Sequence, residues 1–201
     1  MTDEKRMIGD WEVLQGIHIG DKEVLLLYDP NNTEAQYAAC YGEQKLMLES
    51  AEGVGGNDYL EMMEEFLHRV QGQIDLVRTE REKTSEPQEV LGKECCLPSY
   101  GPDSDLGNRV VVMRPEVLRP EYRNAAHQLV YVTGGFGAFP NSRGSAVYGD
   151  YVFSGANTQY RRQHVLGILD PDKAPAWVKP CMEAIQAKFN GKNERNRGDR
   201  G

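Results

Sequence analysis

Apolar and polar residues alternate near the start of the chain, from Trp11 to Ile19. A period of two residues is typical of a strand with one face buried. A turn signal at Gly20 separates this run from a second apolar run, so the pattern predicts a hairpin. The predicted strands of this region are Trp11–Gln15 with Ile17–Ile19, Glu23–Tyr28, Gln36–Tyr41 and Lys45–Glu49.

The period lengthens to three and four residues between Asp58 and Lys83, which predicts a long amphipathic helix. Asp58 precedes Glu61 by three residues, the spacing of a capping box with aspartate at the N-cap. The apolar positions form a seam of Leu60, Met63, Leu67, Val70, Ile74 and Val77, which Met62, Phe66 and Leu76 widen. A wide face favours packing across the N-terminal sheet, and a seam between two copies is the alternative. We therefore expect a monomer or a homodimer.

Residues 84–107 are rich in Pro, Gly, Ser, Asp and Glu, a composition that predicts a linker. Four more strands follow, at Asn108–Met113, Gln128–Thr133, Ala146–Phe153 and Tyr160–Leu169. A C-terminal helix is expected over Ala174–Phe189, kinked or split at Pro180, and the polar tail 190–201 is expected to be disordered. The prediction is an α+β fold: an antiparallel β-meander with one long helix over 1–83, the linker, and a second, mostly antiparallel β unit with a C-terminal helix over 108–189.

Charge divides the chain unevenly. Residues 1–105 hold 9 Lys and Arg against 23 Asp and Glu, a net charge of −14, and residues 106–201 hold 14 against 8, a net charge of +6. The acidic half argues against nucleic acid binding over the whole surface, because phosphates require a positive field. The two halves either meet different partners or complement each other within the molecule.

The sequence contains few motifs for membrane insertion, metal binding or catalysis. No apolar run approaches the ~20 residues of a membrane span, and the N-terminus has no signal-peptide pattern, so we expect a cytoplasmic protein that does not enter membranes. The four cysteines and four histidines lack metal-ligand spacing, which predicts free thiols, no metal and no cofactor. No G-x-S-x-G elbow is present either, so the sequence indicates a non-enzymatic protein.

The glycine-rich stretch Gly134–Gly144 is the most distinctive local feature. Its backbone N–H groups and Arg143 could meet an anion, which makes nucleotide binding or an enzyme a third hypothesis. The glycine spacing ends at Pro140 and a strand follows, so a tight loop with positive φ angles is the better interpretation. Its candidate binding residues are Gly134, Gly135, Phe136, Gly137 and Arg143.

Arginines among aromatic residues in the second half suggest a nucleic-acid-binding module for single-stranded DNA or RNA. The candidates are Arg119, Arg123, Arg143, Arg161 and Arg162. Strand alternation, however, places about half of the neighbouring aromatic residues in a core.

Several segments together resemble one family. They are Asp10–Val13, Gly16–Val24, Leu118–Arg123, Gln128–Leu129, Thr133–Gly137, Arg143–Gly144 and Val165–Gly167. In this order they resemble small accessory proteins of bacterial conjugative and phage-like mobile elements. The resemblance implies an anti-CRISPR protein that inhibits the Cas9 nuclease, and it implies no catalytic residues. The leading hypothesis is therefore a non-enzymatic inhibitor of a host defence nuclease, bound to that nuclease or to its nucleic-acid complex.

Overall fold

The computed structural model describes residues 5–42 and 53–185. The chain divides into two compact units, Met1–Ser85 and Glu86–Gly201. Each unit contains an antiparallel five-stranded sheet, and the first also contains the long helix. The predicted α+β fold with two β units is thus confirmed.

The strands of the first unit pair in chain order. They are β1 (Met7–Ile8), β2 (Trp11–Ile19), β3 (Lys22–Tyr28), β4 (Tyr37–Gly42) and β5 (Val54–Gly56). A register shift between Val13 and Gln15 interrupts the β2–β3 ladder, which explains why the sequence shows two alternating runs within one strand. Gly55 and Gly56 belong to β5 and pair with Ala38 and Tyr37 of β4. The predicted strand Lys45–Glu49 lies outside the described residues.

Helix α1 (Tyr59–Thr84) covers one face of this sheet. The Asp58 carboxylate caps it, accepting hydrogen bonds from the N–H groups of Leu60 at 2.7 Å and Glu61 at 3.1 Å. Its buried residues are Met62, Phe66, Gln73 and Val77. The predicted face is confirmed in part, because Val77 is buried and Met63 and Val70 pack against the core of this unit. Leu60 and Leu67 remain exposed, since the sheet takes the arc through Met62 and Phe66, which pack on Val24, Leu26 and Ala39.

The second unit contains β6 (Val110–Met113), β7 (Leu129–Gly134), β8 (Ala146–Tyr151), β9 (Asn157–Arg161) and β10 (Val165–Ile168). A short helix α2 (Ala125–Gln128) precedes β7. The strand order is β10-β6-β7-β8-β9. The single strand predicted over Tyr160–Leu169 is therefore two strands at opposite edges, separated by the 3-10 turn Arg162–His164.

This short connection forces the second sheet to roll. Four Cα steps from Arg161 to Val165 span at most about 14 Å. The edge strands of a flat five-stranded sheet would lie about 19 Å apart. The sheet must therefore curve until the end of β9 approaches the start of β10. The face that carries Val111, Val130 and Val147 packs one core of this unit.

Residues 86–107 belong to the second unit and do not form a separate linker. Leu91, Cys96 and Leu106 are buried in its cores. The side chain of Gln128 is fully buried and holds this segment in place: it accepts from Leu91 N–H at 2.8 Å and donates to Leu91 C=O at 2.9 Å. The polar composition concealed this packing because the few apolar residues of the segment are widely spaced.

The C-terminal helix, α3, is shorter than expected. It begins at residue 178 and is described to residue 185. Pro180 lies in its first turn, where no backbone N–H is needed, so the kink predicted at Pro180 is replaced by an ordinary helix start. The tail expected to be disordered lies outside the described residues.

Candidate binding site

A cavity of about 490 Å³ opens in the second unit. Met113, Val117, Leu118 and Val130 form its apolar wall, and four consecutive residues of β9, Thr158 to Arg161, form the opposite side. Cavities of this size fall within the range of small-molecule sites. The cavity exists because the sheet rolls and leaves a gap between β9 and the segment that follows β6.

Tyr160 lines this cavity and carries a buried hydroxyl group. Its side chain lies in the core with Val130 and Val147, and only 8% of the residue is exposed. The phenol oxygen is buried and has no hydrogen-bond partner within the described part of the chain. Burial raises the pKa of Tyr160 far above its ordinary value, and Tyr100 and Tyr151 add to the rise. The hydroxyl therefore stays protonated at neutral pH and can donate a hydrogen bond.

Positive charge borders the same cavity. Arg161 and His164 both contribute to its wall. Neither forms an ion pair within residues 5–42 and 53–185. The exposed Arg114 lies next to them in the fold, because its N–H donates to His164 C=O at 2.9 Å. A group with negatively charged oxygens would meet both a donor and a positive field here.

A serine and a histidine occur together in the wall of this cavity. Ser145 and His164 both reach it, but no hydrogen bond joins their side chains in the described residues. Nor does a carboxylate orient the His164 imidazole there, as a serine nucleophile with a histidine base would require. The arrangement is suited to holding a ligand.

Of the predicted binding residues, only Arg161 lines the cavity. Arg162 points elsewhere and clamps three backbone carbonyls, those of Gly137 at 2.8 Å, Pro102 at 2.7 Å and Ser104. Arg123 donates to Leu118 C=O at 3.2 Å, and Arg119 is half-buried near the same turn. The structure thus scatters these arginines and gives Arg162 a structural role.

The glycine-rich stretch is a tightly packed loop. Gly135 has a φ angle of +101°, and a Cβ atom there would lie 2.5 Å from Ala146 O. A Cβ atom on the buried Gly137 would lie 2.5 Å from Ser145 O. Packing against β8 therefore accounts for these two glycines. Gly134 has no neighbour within 4 Å of a Cβ position.

The same loop presents aromatic residues to solvent. Phe136 is 77% exposed and Phe139 is 54% exposed, and Arg143 is exposed beside them in sequence. Phe153 instead packs edge-on against Trp177, with ring centroids 5.7 Å apart. Within the strands, Tyr148 of β8 is exposed and Tyr160 of β9 is buried, so exposed and buried aromatic residues both occur, as alternation predicts.

Sequence reasoning missed Tyr160 and His164 as site residues. The alternation in β9 places Thr158 and Tyr160 on one face, which was the available signal for Tyr160. No local pattern could show that the sheet rolls, and the roll brings Met113 and Leu118 opposite them.

Four further observations concern metals, cysteines, membrane helices and similarity to known proteins. No group of three His, Cys, Asp or Glu residues in the described parts of the chain could hold a metal ion. The four cysteines are free. Among the described residues, no helix has the length and apolarity to cross a membrane. No protein-family model, curated protein or solved structure matches this chain.

Proposed function

We propose that this chain is a binding protein whose second-unit cavity holds a carboxylate or phosphate group of its ligand. The buried, unpaired Tyr160 hydroxyl carries the proposal. A buried polar group without a partner costs about 1–3 kcal/mol, so folds rarely keep one without a use. A ligand oxygen that accepts this hydrogen bond recovers that cost on binding.

Charge selects the class of ligand. A hydroxyl alone would accept or donate and would not discriminate between neutral and charged partners. The Arg161 guanidinium borders the cavity and favours an anion, and a hydrogen bond to a charged oxygen is about twice as strong as one between neutral groups. The apolar wall around Met113 and Leu118 accommodates the carbon part of the ligand.

The test is a titration with inorganic phosphate and with citrate, followed by amide chemical shifts. We expect site-specific shifts at Arg161 and His164, and we expect Tyr160→Phe to weaken binding by about tenfold, the effect of one charge-assisted hydrogen bond. Tyr148→Phe is the matched control, because Tyr148 lies on the neighbouring strand and is 47% exposed. Equal affinity in the Tyr160 and Tyr148 variants would refute the proposal.

The acidic surface of the first unit favours a second function, inhibition of a nucleic-acid-binding nuclease. Its exposed carboxylates are Asp10, Asp21, Glu34, Asp58, Glu61, Glu64, Asp75, Glu80 and Glu82. Its exposed basic residues are Lys5, Arg6, Arg78 and Lys83. Ion pairs with carboxylates engage the first three of those four. A surface of this kind can compete with nucleic acid for a basic channel.

Target cleavage by Cas9 with its guide RNA tests this second function. We expect the protein in molar excess to reduce cleavage, and we expect the double variant Glu61→Lys/Glu64→Lys to lose that effect. A matched control reverses Glu116 and Glu183, two exposed carboxylates of the second unit. Complete cleavage at large excess, across several Cas9 orthologues, would exclude the nuclease hypothesis for this enzyme class.

A further inference from the structure

Among the described residues, no other strand covers one edge of the β9 backbone. Residues of β9 pair only with β8, with Ala146 opposite Arg161 and Tyr148 opposite Gln159. Hydrogen bonds from Arg162 N to Ser145 O at 2.8 Å and from Tyr151 N to Ala156 O at 2.9 Å flank this ladder. In an antiparallel ladder, hydrogen-bonded pairs alternate with non-hydrogen-bonded pairs. These two bonds therefore identify which residue pairs between β8 and β9 are hydrogen-bonded.

The alternation gives the direction of each peptide group. The N–H and C=O groups of Thr158 and Tyr160 point to β8, so those of Gln159 and Arg161 point away from it. Neither of these two residues forms a backbone hydrogen bond on that outer side within the described chain. Both residues line the cavity. The open strand edge and the residue Tyr160, whose buried hydroxyl has no partner in the described chain, therefore border the same space.

The opposite edge of the same sheet is covered. Leu97 N–H donates to Ile168 C=O at 2.8 Å, and Asp170 N–H donates to Cys95 C=O at 2.8 Å. Cys96 forms a bridge with Leu169 between these two bonds. Residues 95–97 thus provide hydrogen-bond partners for the outer edge of β10, while the outer edge of β9 has no such cover among the described residues. An exposed edge is a template for pairing with another chain.

Charge argues against pairing between two copies of this edge. Arg161 would meet Arg161 or its neighbours in a second copy, and a positive residue on an edge strand opposes self-association. Arg114 and Arg161 together outnumber Glu116, the one carboxylate of the adjacent turn Pro115–Val117. A negatively charged strand fits this environment better than a second copy does.

From these observations we infer that an extended, acidic peptide segment of a partner protein adds to the open edge of β9. The inference rests on the proposed function and specifies its ligand. The peptide backbone bonds to Gln159 and Arg161, as in other cases of strand addition. A peptide side chain on the cavity face lies about 5 Å from Tyr160 between Cβ atoms, so an aspartate or glutamate there accepts the hydrogen bond of the Tyr160 hydroxyl.

The test uses a fluorescein-labelled peptide in which glutamate and valine alternate, measured by fluorescence anisotropy with the full chain. Three comparisons isolate the backbone contacts. Gln159→Pro removes an N–H group that faces away from β8, a position where an edge strand tolerates proline, and should weaken binding by about tenfold or more. Gln159→Ala keeps that N–H group and should bind like the wild type. The same peptide N-methylated at alternate amides should fail to bind.

Two further readouts decide the outcome. The amide protons of Gln159 and Arg161 should exchange rapidly in the free protein and become protected when the peptide is bound. If Gln159→Pro fails to fold, as circular dichroism would show, the N-methylated peptide decides alone. Equal binding of the N-methylated peptide, or of a peptide in which lysine replaces glutamate, would overturn the inference.

The binding results distinguish failure of the strand-addition inference from failure of the proposed anion site. If phosphate and citrate bind in a Tyr160-dependent way but the peptide does not, the cavity is a small-anion site and the strand-addition inference is wrong. If single-stranded DNA protects Gln159 and Arg161 and displaces the peptide, the inference is also overturned. If no anion and no peptide binds, both are wrong.

Discussion

Gln128→Leu removes the side chain that fixes residues 86–92 to the second unit. Gln128 is fully buried and makes three hydrogen bonds to backbone groups: from Leu91 N–H at 2.8 Å, to Leu91 C=O at 2.9 Å and to Met113 C=O at 3.0 Å. Leucine has a similar volume, so the substitution leaves no large cavity. It leaves three backbone groups without their partner.

The expected cost follows from those three groups. Each buried backbone group left unpaired costs about 1–3 kcal/mol. The apolar leucine side chain recovers about 1–2 kcal/mol by burial. The three groups together cost about 3–9 kcal/mol, which leaves about 1–8 kcal/mol once the burial of leucine is subtracted. Because some of the freed groups will reach water when the segment shifts, the lower part of this range applies, and we expect a loss of about 2–4 kcal/mol in the free energy of unfolding of this unit. That is a large share of an ordinary domain's stability.

Urea denaturation followed by circular dichroism measures the loss, and hydrogen exchange at the Leu91 amide shows where it occurs. We expect that amide to be protected in the wild type and exchangeable in Gln128→Leu. The control is Gln163→Leu, an exposed position where the change should stay within about 0.5 kcal/mol. A loss below about 1 kcal/mol, with Leu91 still protected, would refute the role of Gln128.

Gln128→Glu adds a pH dependence of known sign. A carboxylate at this fully buried position faces two carbonyl oxygens, so desolvation and repulsion would raise its pKa in the folded state. A raised pKa means that the variant is most stable below the ordinary pKa of about 4.3 and loses about 1.4 kcal/mol per pH unit up to its folded pKa. Gln128→Leu should show no such slope, since leucine does not titrate.

Three other predictions concern single groups. Tyr160→Phe should raise the stability of the free protein by about 1 kcal/mol in thermal denaturation, because it removes a buried hydroxyl without a partner, and a loss would show that the hydroxyl is paired. The Arg6 guanidinium lowers the pKa of Glu23 through its hydrogen bonds at 2.5 and 2.7 Å. Arg6→Met should therefore destabilise the protein at pH 7, and this loss of stability should disappear in acid as Glu23 becomes protonated. A loss of stability that does not depend on pH would contradict this. Asp58→Ala should cost about 1 kcal/mol in urea denaturation through loss of the N-cap, and an unchanged midpoint would show that the cap is dispensable.

Local interactions made the first unit largely predictable. The hairpin β2–β3 and the start of α1 depend on alternation, a turn at Gly20 and a cap at Asp58, all of which lie within a few residues of what they determine. The buried side of α1 was less predictable. The helix carries two apolar arcs, and only the sheet decides that Phe66 is covered while Leu67 is exposed.

Long-range contacts determine the parts of the fold and of the candidate site that local sequence patterns do not predict. The segment 86–107 reads as a linker because its apolar residues have no period, yet a side chain 37 positions away along the chain, Gln128, holds Leu91. The arginines were candidates for binding because nothing local shows that Arg162 is engaged. Its partners lie 25, 58 and 60 positions away, at Gly137, Ser104 and Pro102.

The hydrogen bonds of Arg162 lie at the break between β9 and β10, next to the cavity, and the sequence predicted neither the break nor the cavity. Residues Tyr160 to Leu169 have the composition of one strand. A continuous strand would continue past Arg161 and occupy a single position in the sheet. The chain instead turns at Arg162–His164, where the Arg162 side chain binds carbonyls of the 102–104 segment and of Gly137, and β10 pairs with β6 at the far edge. The short connection at this turn requires the sheet to roll, and the cavity lies beside the β9 residues Tyr160 and Arg161. The residue proposed from sequence as a ligand contact thus binds backbone carbonyls at the turn beside the site that its neighbour Arg161 borders.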